Sequence, residues 1–253
     1  MNLRLLLLIL LIPLAARAES YETAVAAYEE GAYMEAVEAG KRLATADGLA
    51  LAARSLLAYG GYHRDADHRR QVLNDAIAAA EAALKLAPDH VEANLQWAIA
   101  LGYRARLDVS MGDARRARQR IEKALAHDPE NPWANAALAG WHGEVRDTLG
   151  GFIAGAVMGA SKKKCFRAFD RAVALDPENP AIHFWYAHIL LRFDRRDRTG
   201  RAQELLQAGI ALAPRTTFEA SLQELSAHVL AALQTKDKKT LKQALADTMP
   251  FST

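Results

Sequence analysis

Four stretches decide the fold: Ala83-Leu84-Lys85-Leu86-Ala87-Pro88, Ala124-Leu125-Ala126-His127-Asp128-Pro129, Ala172-Val173-Ala174-Leu175-Asp176-Pro177 and Gly209-Ile210-Ala211-Leu212-Ala213-Pro214. Each is an apolar helical run stopped by proline, whose ring fixes φ and removes a backbone donor. Two continue identically as Asp-Pro-Glu-Asn-Pro, at 128–132 and 176–180. Five residues before each proline stands Ala83, Ala124, Ala172 or Gly209; eight before, Ala80, Ile121, Phe169 or Leu206; twelve before, Ala76, Ala117, Cys165 or Ala202. Steps of three and four put these on one helical face, and the small members let a neighbouring helix approach.

Downstream, Trp97-Ala98, Leu138-Ala139 and Tyr186-Ala187 lie nine and ten residues after their prolines. Each pair, large beside small, suits the first helix of the next unit. After Pro214 the pair becomes Gln223-Glu224, which predicts a degenerate terminal unit at 217–247 whose last face meets water. A fixed period implies stacked units sharing one continuous core.

These residues resemble the tetratricopeptide repeat (TPR), a helix-turn-helix unit of about 34 residues. Tyr28, Gly31, Tyr33 and Ala36 repeat that family's junction between its two helices. The resemblance implies an all-α, right-handed superhelical solenoid of about five helix pairs over 19–250, clearest at 76–191. The prolines are separated by 41, 48 and 37 residues, more than the family period. The excess is expected as loops or longer helices at Arg106 to Asp113, Leu149 to Lys162 and Asp194 to Thr199. Twelve helices follow, none of them within 149–161. Around the middle excess, Trp141-His142-Gly143-Glu144-Val145, an apolar stretch and Lys164 resemble regulator of microtubule dynamics-type TPR proteins. That narrower likeness covers about 50 residues and implies kinship of fold.

The first eighteen residues read as a signal peptide: Arg4, the apolar run Leu5 to Leu14, then Ala16-Arg17-Ala18, with cleavage expected before Glu19. The run is shorter than the roughly 20 residues a spanning helix needs, which disfavours the competing reading as a retained anchor. Export implies a periplasmic or secreted protein. The chain carries 32 Lys+Arg against 30 Asp+Glu, and loss of Arg4 and Arg17 leaves the mature part near neutrality. Arginines at 104–120 and 192–201 are interleaved with Asp108, Asp113, Glu122, Asp194 and Asp197, a pattern of salt-bridged surfaces; no nucleic-acid partner is expected. Acids crowd 19–48 while Lys236, Lys238, Lys239 and Lys242 mark the other end, a polarity suited to head-to-tail pairing. The one cysteine, Cys165, sits in a small-residue slot of the repeat, where a buried structural role is expected.

His63 and His68 are five apart, as are His183 and His188, whereas ligand pairs on a helix sit three or four apart. There is no Cys-x-x-Cys, no His-Glu-x-x-His, no acidic calcium loop, no Gly-x-Ser-x-Gly and no phosphate-binding glycine loop. No metal, cofactor or catalytic residue is expected, and the chain reads as a non-enzyme.

Two places remain for function. By resemblance to the family, the first helix of each pair lines a concave groove, which assigns partner contact to Glu92, Leu95, Ile99, Trp133, Phe184 and His188, with Ala136 and Gly140 beside them. Ordinary core packing is the competing reading for each. The second place is the insert Gly-Gly-Phe-Ile-Ala-Gly-Ala-Val-Met-Gly-Ala at 150–160, carrying Phe152, Ile153, Val157 and Met158. Such an apolar, glycine-rich stretch packs over helix ends, lines or lids an apolar groove, or meets a membrane or partner. The function expected is an exported scaffold binding a protein or peptide, with a bacterial envelope assembly as its setting. The alternative is an accessory of solute transport holding a lipid or other apolar ligand under the insert.

Overall fold

A computed structural model describes residues 20–61, 66–193 and 198–251, and these form thirteen helices and no strand. They are α1 (Tyr21–Glu29), α2 (Tyr33–Leu43), α3 (Ala46–Gly60), α4 (Ala66–Leu86), α5 (Val91–Asp108), α6 (Met111–His127), α7 (Pro132–Leu149), α8 (Gly151–Met158), α9 (Lys162–Leu175), α10 (Pro180–Phe193), α11 (Thr199–Ala211), α12 (Thr217–Gln234) and α13 (Lys238–Asp247). The expected signal segment and its cleavage point lie outside the described residues, as does most of the third expected excess.

Many of the helices begin at a short polar residue whose side chain takes up an otherwise unpaired amide. Ser20, Thr45, Ser110, Asn131, Ser161, Thr216 and Asp237 all accept from the first turn they precede. His90 Nδ1 accepts from Ala93 N at 3.1 Å, so its Nε2 carries the proton and donates to Asp47 on α3 at 3.0 Å.

The proline corners carry a device absent from the period as read. Six residues after Pro88, Pro129 and Pro177 stand Asn94, Asn135 and His183, each donating to that proline's carbonyl at 3.4, 3.2 and 2.9 Å. Proline leaves a carbonyl at the corner with no helical partner, and a buried side-chain donor satisfies it. At the last corner Gln223 reaches back instead, donating to the carbonyls of Gly209 and Leu212 at 2.7 and 2.8 Å. The break in the repeat pattern at Gln223 is therefore a helix cap.

The small-residue slots are filled as the offsets require. Ala76, Ala117, Cys165 and Ala202 are buried, as are Ala83, Ala124 and Ala172. Burial also pushes the Cys165 thiol up to about 12, so it stays protonated. One large core joins α7 and α9 to α13, and a second joins α2 through α7 with Ala154 of α8 and Phe251.

The last helix, α13, turns Lys238, Lys239, Lys242, Gln243 and Asp247 to water, while the start of α12 lies against the first unit. An added Cβ on Gly31, between α1 and α2, would stand 2.9 Å from Thr217 Cγ2 at the start of α12, so the first and last units touch. The two ends thus meet within one chain at this point, beside the concave side of the repeat. The excess at Arg106 to Asp113 is taken up by long helices: α5 and α6 have 18 and 17 residues, with only Val109 and Ser110 between them.

Candidate functional site: the enclosed concave face

Three helices build the inner wall, and their contributions share one phase. Counted from the preceding proline, the eighth residue is Gln96, Ala137 or Trp185; the eleventh, Ile99, Gly140 or His188; the fifteenth, Tyr103, Glu144 or Arg192. All nine face the interior from α5, α7 and α10. They line two adjoining cavities of about 200 and 120 Å³ that share Ile99, Tyr103, Trp133 and Trp185. Small residues make the room: a Cβ added at Gly102 or Gly140 would meet nothing within 4 Å. Around that space Trp133, Trp141, Trp185 and Phe169 give aromatic walls.

Part of this interior is already occupied. After α13 the segment Met249-Pro250-Phe251 crosses from α10 to the end of α3. Met249 lines the larger cavity, and Pro250 and Phe251 line the smaller. Phe251 is 1% exposed, its ring centroid 4.9 Å from that of Tyr103. Its backbone N–H donates to the Gly61 carbonyl, and the Pro250 carbonyl accepts from Arg106. His188 Nε2 donates to the Leu245 carbonyl at 3.0 Å, which seats the end of α13.

A charged cluster borders the apolar wall. Arg192 donates to Glu144 at 2.5 and 3.3 Å and also to Asp147, while Arg106 lies 3.7 Å from Glu144. Burial alone would push the Glu144 carboxyl up, but Arg192 and Arg106 outweigh it and hold the group below the usual carboxylate range. Two arginines against two carboxylates leave no net charge. Burial, then Arg192, pushes the His188 imidazole down to about 4, so it is neutral at physiological pH. On α7 the Trp141 indole donates to the Ala114 carbonyl at 2.7 Å under the Arg118 guanidinium. His142 Nε2 accepts from Arg118, since arginine only donates, and burial followed by Arg118 pushes that imidazole to about 4 as well. Among the described residues no cluster of three or more His, Cys, Asp or Glu could hold a metal, and no helix is long and apolar enough to cross a membrane.

The groove residues read from sequence divide by phase. Trp133, Ile99 and His188 line the cavities, and Glu92 edges the smaller one. Leu95 and Phe184 are 1% and 0% exposed and line neither. They stand seven residues after their prolines rather than eight, and one residue is a rotation of about 100° on a helix. Their neighbours Gln96 and Trp185 hold the wall positions instead. Tyr103, Trp185 and Phe251 are among the lining residues that sequence reasoning missed; the eighth-and-eleventh phase would have found Trp185.

The insert also differs from the expectation that it packs over helix ends. It forms α8, which buries only Ala154 and leaves Phe152, Ile153 and Val157 at 89%, 50% and 50% exposure, with Met158 half-buried. Neither cavity is lined by α8, which therefore is not a lid over the interior.

In sequence the chain matches no protein-family model and no curated protein. Among solved structures it is similar to a thermophilic TPR protein of Thermus thermophilus, with a TM-score of 0.59 over 83% of this chain and 97% of that one, at 17% identity. At that identity the likeness is one of fold. By fold, then, the chain is a TPR-like, all-helical repeat protein.

Proposed function

We propose that this is an exported, non-catalytic scaffold whose concave face binds a short apolar, aromatic-bearing segment of a protein partner. The observation that carries the reading is the seating of Met249-Pro250-Phe251, an example from the chain itself of what fits there: a turn of backbone, with Phe251 at φ +52°, held by Gly61 and Arg106, and an aromatic side chain against Tyr103. Magnitude supports a peptide over a lipid. Small-molecule sites usually offer roughly 300–1,000 Å³, while a dry cavity near 150 Å³ holds one benzene. At about 200 Å³ the larger cavity suits one or two side chains and is too small for a two-chain lipid. The neutral charge cluster likewise offers no spare cation for a lipid headgroup. Export rests on residues 1–18, and an envelope location follows from it.

A photo-crosslinking residue at Gly140, where a side chain meets open space, tests this. In the envelope fraction it should capture a protein, and a synthetic peptide of Thr248–Thr253 should compete with that capture. The second reading, an apolar small ligand, rests on the same aromatic-walled cavity. Organic extraction and native mass spectrometry that recover a lipid from the purified chain, with no peptide-sensitive crosslink, would replace the first reading with it.

A further inference from the structure

The interior leaves α8 unexplained. Its exposed residues Phe152, Ile153, Ala156 and Val157 fall within one face spanning about 140°, opposite Ala154 and Met158. A soluble fold gains nothing by holding phenylalanine at 89% exposure, and scattered apolar residues elsewhere do not form such a face. The helix is fixed at both ends. Gly150 and Gly159, at φ +73° and +67°, start and stop it, and Ala160 N donates to the Ala154 carbonyl at 3.0 Å. Arg146 donates to the Gly151 carbonyl at 3.3 Å.

The segment that follows α8 is basic. Between Thr148 and Phe169 the chain carries Lys162, Lys163, Lys164 and Arg167 and no acid. The turn at Gly159 brings the first turn of α9 against the end of α8, where Lys164 Nζ donates to the Gly159 carbonyl at 3.1 Å. Lys162 Nζ donates to the Phe193 carbonyl at 3.1 Å, and each of these ammonium groups keeps two further donors. Lys163 and Arg167 are exposed. An apolar helical face bordered by cations is the chemistry that lies in the interface of an anionic bilayer, apolar side down and ammonium groups among the phosphates. At eight residues α8 is about 12 Å long, well short of a span.

We propose that α8 and the first turn of α9 form a docking surface for anionic phospholipid bilayers, with Phe152, Ile153 and Val157 entering the headgroup boundary. This holds the scaffold on a membrane while leaving the concave face clear, and it is independent of what that face binds.

The test uses the full chain carrying Val157→Cys labelled with an environment-sensitive fluorophore. The native thiol at Cys165 is buried and protonated, so the label goes to position 157. Reading from the label separates α8 from any membrane contact made through Leu5–Leu14. Vesicles of phosphatidylcholine mixed with phosphatidylglycerol should shift the emission to the blue and allow quenching by a lipid-borne quencher. Phosphatidylcholine alone should do so weakly, and high salt should reverse the effect. Phe152→Asp in the labelled chain should weaken the partition about tenfold or more, and Lys163→Glu should weaken it on anionic vesicles only. Emission unchanged by either vesicle overturns the proposal. A blue shift that grows with protein concentration in the absence of vesicles also overturns it, because the face would then bind a second copy of the chain.

Discussion

Phe184 on α10 and Phe152 on α8 are the same side chain in two apolar regions, one 0% exposed and the other 89%. The wall around Trp133, Trp141 and Trp185 lies close to covered, in part by the chain's own Met249–Phe251, whereas the outer face of α8 is covered by none of the described residues. Apolar composition alone therefore does not say which residues hold the fold together. Cover does, because the gain comes from area taken out of water. The interior is a site partly filled by the chain's own segment, and the outer face of α8 is left bare.

Removing the ring at the covered position should have the largest effect. Phe184→Ala should cost about 3–5 kcal/mol of stability, the usual range for a core phenylalanine, while Phe152→Ala should stay within about 0.5 kcal/mol. Urea unfolding of both variants checks this, and equal costs would erase the distinction.

Acid should loosen the interior next. The folded-state pKa of His188, about 4, lies below its ordinary value near 6.5, so the unfolded chain takes up the proton first. The stability associated with neutral His188 is complete above about pH 6.5 and is lost as pH falls toward 4, amounting to about 3 kcal/mol. Unfolding free energy measured across that window should fall with a slope that His188→Gln reduces. His142 adds a slope of the same sign, so the variant keeps part of it.

A smaller effect is expected at the occupant. Phe251 is buried in the second core, but its segment follows the last helix, so Phe251→Ala should cost less than Phe184→Ala, about 1–2 kcal/mol, and should raise binding of an apolar dye to the interior. A loss as large as that of Phe184→Ala would mean that the segment cannot leave without unfolding the repeat.

The repeat was legible because its determinants are local. Proline corners, small-residue slots and helix limits depend on neighbours within a few turns, and they appear at fixed offsets around Pro88, Pro129, Pro177 and Pro214. The site was legible in part. Trp133, Ile99 and His188 were placed on the wall, but Leu95 and Phe184 missed it by one residue, and one residue on a helix exchanges lining for core. Two features escaped for other reasons. The helicity of α8 was hidden by four glycines, yet Gly150 and Gly159 act at its ends, where glycine favours a cap, and only Gly151 and Gly155 lie inside. The meeting of Gly31 with Thr217, and of Phe251 with Gly61, joins residues far apart in sequence that no period connects.

The most direct measurement is calorimetric titration of a synthetic peptide of Thr248–Thr253 into the chain truncated after Thr248, with circular dichroism confirming that the helices remain. Saturable one-to-one binding, weakened by Trp133→Ala and unchanged by Phe152→Ala, is the expected result. A truncated chain that keeps its helices and takes up no peptide would contradict the concave face as a binding site.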